Sequence, residues 1–517
     1  MKQLVASVVC ALVGSAVWAA ATNVAFPVTG GDFASAADWS GTAVTDPAHA
    51  SGYQLQIGYN GTYYISSDID FASLLVDPWG SQITIDCLEK ATGRPKIQLN
   101  NNTASGVIRG SLLMNGSSGG YLTIKGGDWN LGGGKILFKV RSSHSYEYNT
   151  ITITNNAVIT NAGNIAIYKA AHQQFDIVGH SAVYAASVYV GTGSPQCNMK
   201  VADGGYFHIA DGGMDIPGAY DGGETYEGAD YCEMLVTGTG SRVYGASPRN
   251  GQKFQVGAGL VPGRLVVTDG ARFVSDYPEN YLGAHTNTHQ NVIRVENGGS
   301  LFMANILYMS FKPFNGYGAR WRGYPQDASN RLEVVNGGVY TNASLVSVQY
   351  AGNALVVSNA TAAITRLNVQ GTNNCVVLQG TNPKLKINYD NEATYVSGKT
   401  TRSMISWLND KTKLRFELPP EGYEDGYVPM EVNRTFALYG DSALEIEGAD
   451  AFLSNFRKGR VCRKTVTLIR CTDGTLDISA DKIAAAQAKL PKGCKLKLKD
   501  NSLQLSISVG GLILLFR

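Results

Sequence analysis

The chain is poor in charge, poor in cysteine and, past its first residues, without any long apolar run. Charged residues make up 16% of its 517 positions, against roughly a quarter in ordinary soluble domains. That shortage speaks against a charge-laced helical bundle, and the apolar fraction of 44% speaks against a disordered chain. The formal charge of +2 leaves no electrostatic reason to seek nucleic acid. The closing stretch Leu512 to Phe516 is far too short to cross a bilayer. No Cys-x-x-Cys pair occurs, so a zinc ribbon has no ligands to build on.

What the chain has in excess is glycine, 60 residues, well above the usual ~7%. Few charges, many glycines and a normal apolar content suit short strands joined by tight turns. The first 21 residues read as a secretory signal. Lys2 supplies the basic start, Leu4 to Val17 the apolar stretch, and Ala19-Ala20-Ala21 the small-residue cleavage site. Cys10 lies inside the apolar run behind Val8-Val9, which is not a lipid-attachment context. Removing the signal leaves seven cysteines for an oxidising compartment, and Cys462 with Cys471, flanking one expected strand, is the pairing that spacing suggests; Cys494 competes. The others suit buried small apolar side chains.

Internal repetition is the strongest signal. Ile293-Arg294-Val295-Glu296-Asn297-Gly298-Gly299 recurs in kind as Met199 to Gly205, Leu265 to Ala271, Leu332 to Gly338 and Leu355 to Ala360, with looser copies at Leu122 and Ile151. Each is an apolar-x-apolar strand followed by an Asn/Asp-Gly turn, the residue types that accept positive φ. The second apolar position falls at Ile124, Ile153, Ile177, Val201, Val236, Val267, Val295, Val334 and Val357, at spacings of 29, 24, 24, 35, 31, 28, 39 and 23 residues. Two architectures use such strands. In a solenoid, like residues of successive coils stack above one another; in an antiparallel sandwich, neighbouring strands pair through hairpins. One turn of the same type per long unit favours the solenoid, an all-β right-handed parallel β-helix. The spacings leave room for about eleven coils between Ile83 and Leu385.

The organisation expected is a signal at 1–21, an N-terminal cap with first strands at 22–80, the β-helix at 81–400 and a small α+β closing module at 401–517. The last part carries 18 Lys/Arg against 14 Asp/Glu. Its expected elements are a helix capped by Ser479, with Ile483, Ala486 and Leu490 on one face and Pro491 as stop, and a hairpin of Cys494–Lys499 with Leu503–Ser508 through Asp500-Asn501.

The Asp38-Trp39-Ser40-Gly41 start, the repeated Asn-Gly-Gly units and the Phe516-Arg517 end resemble exported bacterial β-helix proteins of the pectin-lyase-like or autotransporter-passenger-like kind. The resemblance is architectural; it implies the right-handed parallel fold and a life outside the cell or on its surface. Two departures matter. The amphipathic strands of a translocating barrel are not seen, and the Gly-His-Gly and Arg-x-Lys motifs of polygalacturonases are missing, Gly179-His180-Ser181 being the nearest approach. No catalytic, cofactor or metal residue is carried over.

Several constellations still invite chemistry. Asp203, Asp211 and Asp221, each before Gly-Gly, with Glu224, Glu227 and Asp230, have the oxygen donors calcium wants, but Asp-Gly is a common turn dipeptide and the spacing lacks the nine-residue calcium repeat, so simple turns are the better reading. Asp176 would need a second acid on a neighbouring coil for glycosidic cleavage, and Arg272 or Arg294 would have to serve as base in a lyase. His285 and His289 have helical zinc spacing in a loop-like setting. Arg457, Lys458, Arg460, Arg463 and Lys464 form a basic cluster, and Phe311, Phe314, Tyr317, Trp321 and Tyr324 form an aromatic group on the longest insertion, able to stack on sugars or to pack as a lid. The expectation is a structural, adhesive or glycan-binding protein whose partner is extracellular polysaccharide or cell-surface glycan, with a carbohydrate-active enzyme as the alternative.

Overall fold

The computed structural model describes residues 22–25, 30–33, 49–76, 82–89, 93–99, 111–114, 119–138, 148–168, 172–192, 196–216, 231–247, 251–257, 261–283, 290–310, 329–387, 405–458 and 463–508. The fold is all-β with parallel sheets. Fifteen strands of one sheet follow each other in chain order, one per repeat, from Gly31–Asp32 to Ala443–Glu447, every pairing parallel. Eleven of them lie between Gln82 and Gln379.

Apolar alternation sets the register. Ile124, Ile153, Ile177, Val201, Val236, Val267, Val295, Val334 and Val357 are direct partners in succession. All nine are fully buried. Because side chains alternate faces along a strand, one apolar residue in two is enough to line a continuous core. The sandwich reading is thereby excluded: Val267 and Val295 are in-register parallel neighbours, not members of facing sheets. At about 25 cal/mol per Å² of apolar surface, each buried Ile or Val contributes roughly 1.5–3 kcal/mol, and the stack multiplies it.

The turns answer to the sequence as well. Asp269, Asn297, Asn336 and Asn359 take φ of 53°, 48°, 46° and 48°. Gly298 and Gly337 follow two of them at 76° and 81°. The glycine after that serves a different need. A Cβ at Gly299 or Gly338 would strike the carbonyl oxygen of Val267 or Val295 in the preceding repeat.

A second network of parallel strands covers the other flanks. Ala182–Thr192 and Val339–Val348 are long enough to pair with two short strands each, so ten strands close into a ring of pairings. The parallel pairing is not confined to 81–400. It begins with Thr22–Ala25 on His49–Ile57 and runs to Thr435–Leu438 on Leu476–Asp477.

Among the described residues the pairing becomes antiparallel only where Ser502–Ser508 joins Arg463–Cys471 and Cys494–Lys499. Asp500 and Asn501, at φ 48° and 52°, make the expected two-residue turn. The helix α2, Ala480–Ala488, is capped by Ser479, whose hydroxyl accepts the Lys482 N–H at 3.5 Å. An earlier helix, α1, Ala449–Lys458, escaped the sequence reading; Phe452, Leu453 and Phe456 form its buried face.

Inside the main sheet runs a polar column two residues ahead of the first apolar position. It comprises Asn149, Gln173, Cys197, Cys232, Gly263, Asn291, Asn330, Asn353, Asn374, Thr412 and Ser442. The asparagines relay hydrogen bonds: Asn291 donates to Asn330 Oδ1 at 2.8 Å, the Asn330 backbone N–H to Asn353 Oδ1 at 3.2 Å, and the Asn353 backbone N–H to Asn374 Oδ1 at 2.8 Å. From Asn291 to Asn374 the buried amides are tolerated because each is hydrogen-bonded to the next, and Asn374 donates to the Tyr350 and Gln370 carbonyls.

Candidate functional site

The sequence candidates that fall on described residues resolve into local structure. Asp203 sits at φ 51° in its turn, its carbonyl accepting the His180 N–H. The carbonyl of Asp211 accepts from Ser247. Among the described residues no three His, Cys, Asp or Glu side chains converge on a metal-sized space; Asp221, Glu224, Glu227, Asp230, His285, His289 and the aromatic group from Phe311 to Tyr324 lie outside the described residues. Asp176 has Thr152 and Lys200 as register partners rather than an acid. Burial raises its pKa, and the Gln174 amide donates to it at 2.9 Å. Arg294 pairs with Glu296 at 2.8 Å and Glu333 at 3.6 Å, which makes it one rung of an ion ladder. Surface rungs of this kind contribute about 0–1 kcal/mol each. Arg272 is exposed, in register between Arg242 and Ser300.

Of the basic cluster, Arg457 and Arg463 are exposed, while Lys464 donates to the Tyr423 carbonyl and pairs with Asp425 at 3.4 Å. The cleft beside them, about 500 Å³, holds Glu421 and Asp425 too, so its charge is mixed. Arg460 and Cys462 lie outside the described residues, and the Cys471 thiol donates to the Arg434 carbonyl at 3.0 Å.

The arrangement with the most binding character was not foreseen. Immediately before the polar column, four successive repeats present Tyr148, His172, Gln196 and Tyr231; one step beyond it come Gln174, Asn198 and Glu233. Together these side chains line a cleft of about 350 Å³. His172 and Gln196 adopt φ of 63° and 57°, the turn that delivers the chain into its strand. Tyr148 stacks on His172 at 4.4 Å, and the Arg264 guanidinium lies 4.5 Å over the Tyr231 ring. Arg264 also faces Glu233 at 3.6 Å; burial nevertheless lifts the Glu233 carboxyl above its ordinary range, with Arg264 opposing. Tyr148 and Tyr231 are 59% and 40% exposed, so their rings are open to a ligand.

A second outward strip carries Tyr184, Tyr206, His208 and Tyr244, in edge-to-face or tilted contact at 5.1–6.2 Å. On a third flank Asp215 is 8% exposed, and its Oδ1 accepts from Gln255 at 3.0 Å. Burial pushes its pKa up to about 7 against the pull of Gln255 and Lys253. The next repeats add Glu279, which accepts from the Tyr281 hydroxyl and faces Lys253 at 3.5 Å.

A usable signal existed in the sequence: in four successive repeats Asn, Gln or Cys stands two places ahead of the apolar-x-apolar pair, with a Tyr, His or Gln just before it. It is visible only once the repeats are aligned on Ile153, Ile177, Val201 and Val236. Comparison of this chain with family models, with curated proteins and with solved structures gives no match. Among the described residues no helix is long and apolar enough to cross a membrane.

Proposed function

We propose that the chain is a right-handed parallel β-helix, exported through a signal at residues 1–21, that works outside the cell or at its surface as a structural or adhesive protein holding polysaccharide along one flank. The observation that carries this reading is the cleft of Tyr148, His172, Gln174, Gln196, Asn198, Tyr231 and Glu233. It spans four repeats, or roughly 14 Å at the strand spacing, enough for two or three sugar rings. Amides and a carboxylate suit hydroxyl groups, and flat exposed rings suit the apolar faces of sugars. Uniform stacking also gives a long rigid surface, on which weak contacts repeat.

The test is a glycan array with parallel product analysis. Retention on a glycan gel without change to the glycan, reduced about tenfold by Tyr231→Ala, supports the reading. Retention unaltered by both Tyr231→Ala and Tyr148→Ala refutes it.

The second reading, a polysaccharide lyase or glycoside hydrolase on the same scaffold, draws on Asp215, a carboxyl that keeps its proton near neutrality, beside the Lys253–Glu279 pair. Release of reducing or unsaturated ends, abolished by Asp215→Asn, would favour it over the binder.

A further inference from the structure

Cys197 and Cys232 are 35 residues apart in the chain and next to each other in the fold. Each immediately precedes a residue of the in-register parallel pair Asn198↔Glu233, and the Glu233 N–H donates to the Cys197 carbonyl at 3.2 Å. Both side chains are fully buried on the inward face. Their thiols are hydrogen-bonded to each other. Parallel neighbours lie about 4.8 Å apart, inside the Cα separation that a disulfide spans. Among the described residues no other two cysteines are register neighbours: Cys87 faces Ile65, Cys375 lies between Ala354 and Lys413, Cys471 faces Val432 and Cys494 faces Ile507.

Their place in the polar column gives the pair a purpose. Further along, Asn291, Asn330, Asn353 and Asn374 tie each repeat to the next through amide hydrogen bonds. A thiol is a weak donor and a weaker acceptor, so at this level the relay loses its strength. The flanking positions are Gln173 on one side and Gly263, which has no side chain, on the other. A covalent bond at this level would restore the tie where the amides stop.

We infer that Cys197 and Cys232 form an inter-repeat disulfide, made by exchange with a low-molecular-weight disulfide while the chain folds. One cysteine thiolate attacks a sulfur of the external disulfide and expels one thiol, leaving a mixed disulfide on the protein. The second thiolate attacks the protein sulfur of that bond and expels the other thiol. The two cysteines lose two protons and two electrons, which leave on the two released thiols. Both sulfurs are shut off from solvent in the finished fold, so exchange precedes the docking of Cys232–Val236 onto Asn198–Val201. The contact with Cys232, and burial after it, raise the pKa of Cys197 well above its ordinary value, which disfavours a lone thiolate after docking and so fits the same order of events. The inference stands on this pairing and not on the binding cleft.

Tryptic mapping decides it. No Lys or Arg lies between Lys200 and Arg242, so trypsin places Cys197 in fragment 170–200 and Cys232 in fragment 201–242. The full-length chain is refolded in reduced and oxidised glutathione, alkylated without reduction and digested. The two fragments should travel as one species, lighter than their sum by two hydrogens and split by reductant; the species should vanish in Cys197→Ser. Recovery of both fragments separately, each alkylated, overturns the inference, as does Cys232 linked to any other cysteine. The wild-type map stands alone if the variant fails to fold.

Discussion

Replacing Asp215 with asparagine should stabilise the protein above pH 7 and change little near pH 4. Asp215 is 8% exposed and has Gln255 as its hydrogen-bond donor, at 3.0 Å. Asparagine keeps an acceptor oxygen there and never ionises. Desolvation raises the carboxyl from 3.8 to about 7, Gln255 and Lys253 pulling the other way. The folded state therefore holds this proton more tightly than the unfolded chain does. Its contribution is complete below about pH 4, is lost as pH climbs to about 7, and stays constant beyond. At about 1.4 kcal/mol per pH unit the ceiling is about 4 kcal/mol, and about 2–4 kcal/mol is the expected range. Thermal unfolding of wild type and Asp215→Asn, followed by circular dichroism from pH 4 to 9, reads it directly. The variant should gain a few degrees over wild type between pH 4 and 7, with a level gap above. A gap that does not change from pH 4 to 9 would refute the assignment of a proton to Asp215.

Other expectations follow from the same geometry. Asn353→Ala strips acceptors from the Asn330 N–H and the Ser310 hydroxyl and a donor from the Gln349 carbonyl, and should cost about 2–5 kcal/mol in equilibrium unfolding. Gly338→Ala, which drives a methyl into the Val295 carbonyl, should lower the midpoint more than Gly298→Ala, where the nearest foreign atom is 3.8 Å away and the cost is the left-handed backbone, about 1–2 kcal/mol. His208, half-buried against Tyr184 and Tyr244, has its pKa lowered by desolvation, so its imidazole should titrate below 6.5 by NMR; a midpoint above that value contradicts the packing. Because its folded pKa is depressed, its contribution to stability is present above 6.5 and fades as pH falls.

The sequence by itself determined the strand-and-turn repeat. Apolar alternation and Asx-Gly turns are local properties, and stacking turns them into a register, which is why nine positions from Ile124 to Val357 fall in one line. The hairpin around Asp500-Asn501 and the Ser479 cap were legible for the same reason. Tertiary structure alone decided what stands beside what across repeats. Spacings of 23 to 39 residues hide that Tyr148 meets His172, that Asp176 meets Lys200 instead of an acid, and that Cys197 meets Cys232. Loops of unequal length separate these residues in the chain, whereas the parallel ladder holds them about 4.8 Å apart. Helix α1 was hidden for a related reason: only the surface it covers makes Phe452, Leu453 and Phe456 a face.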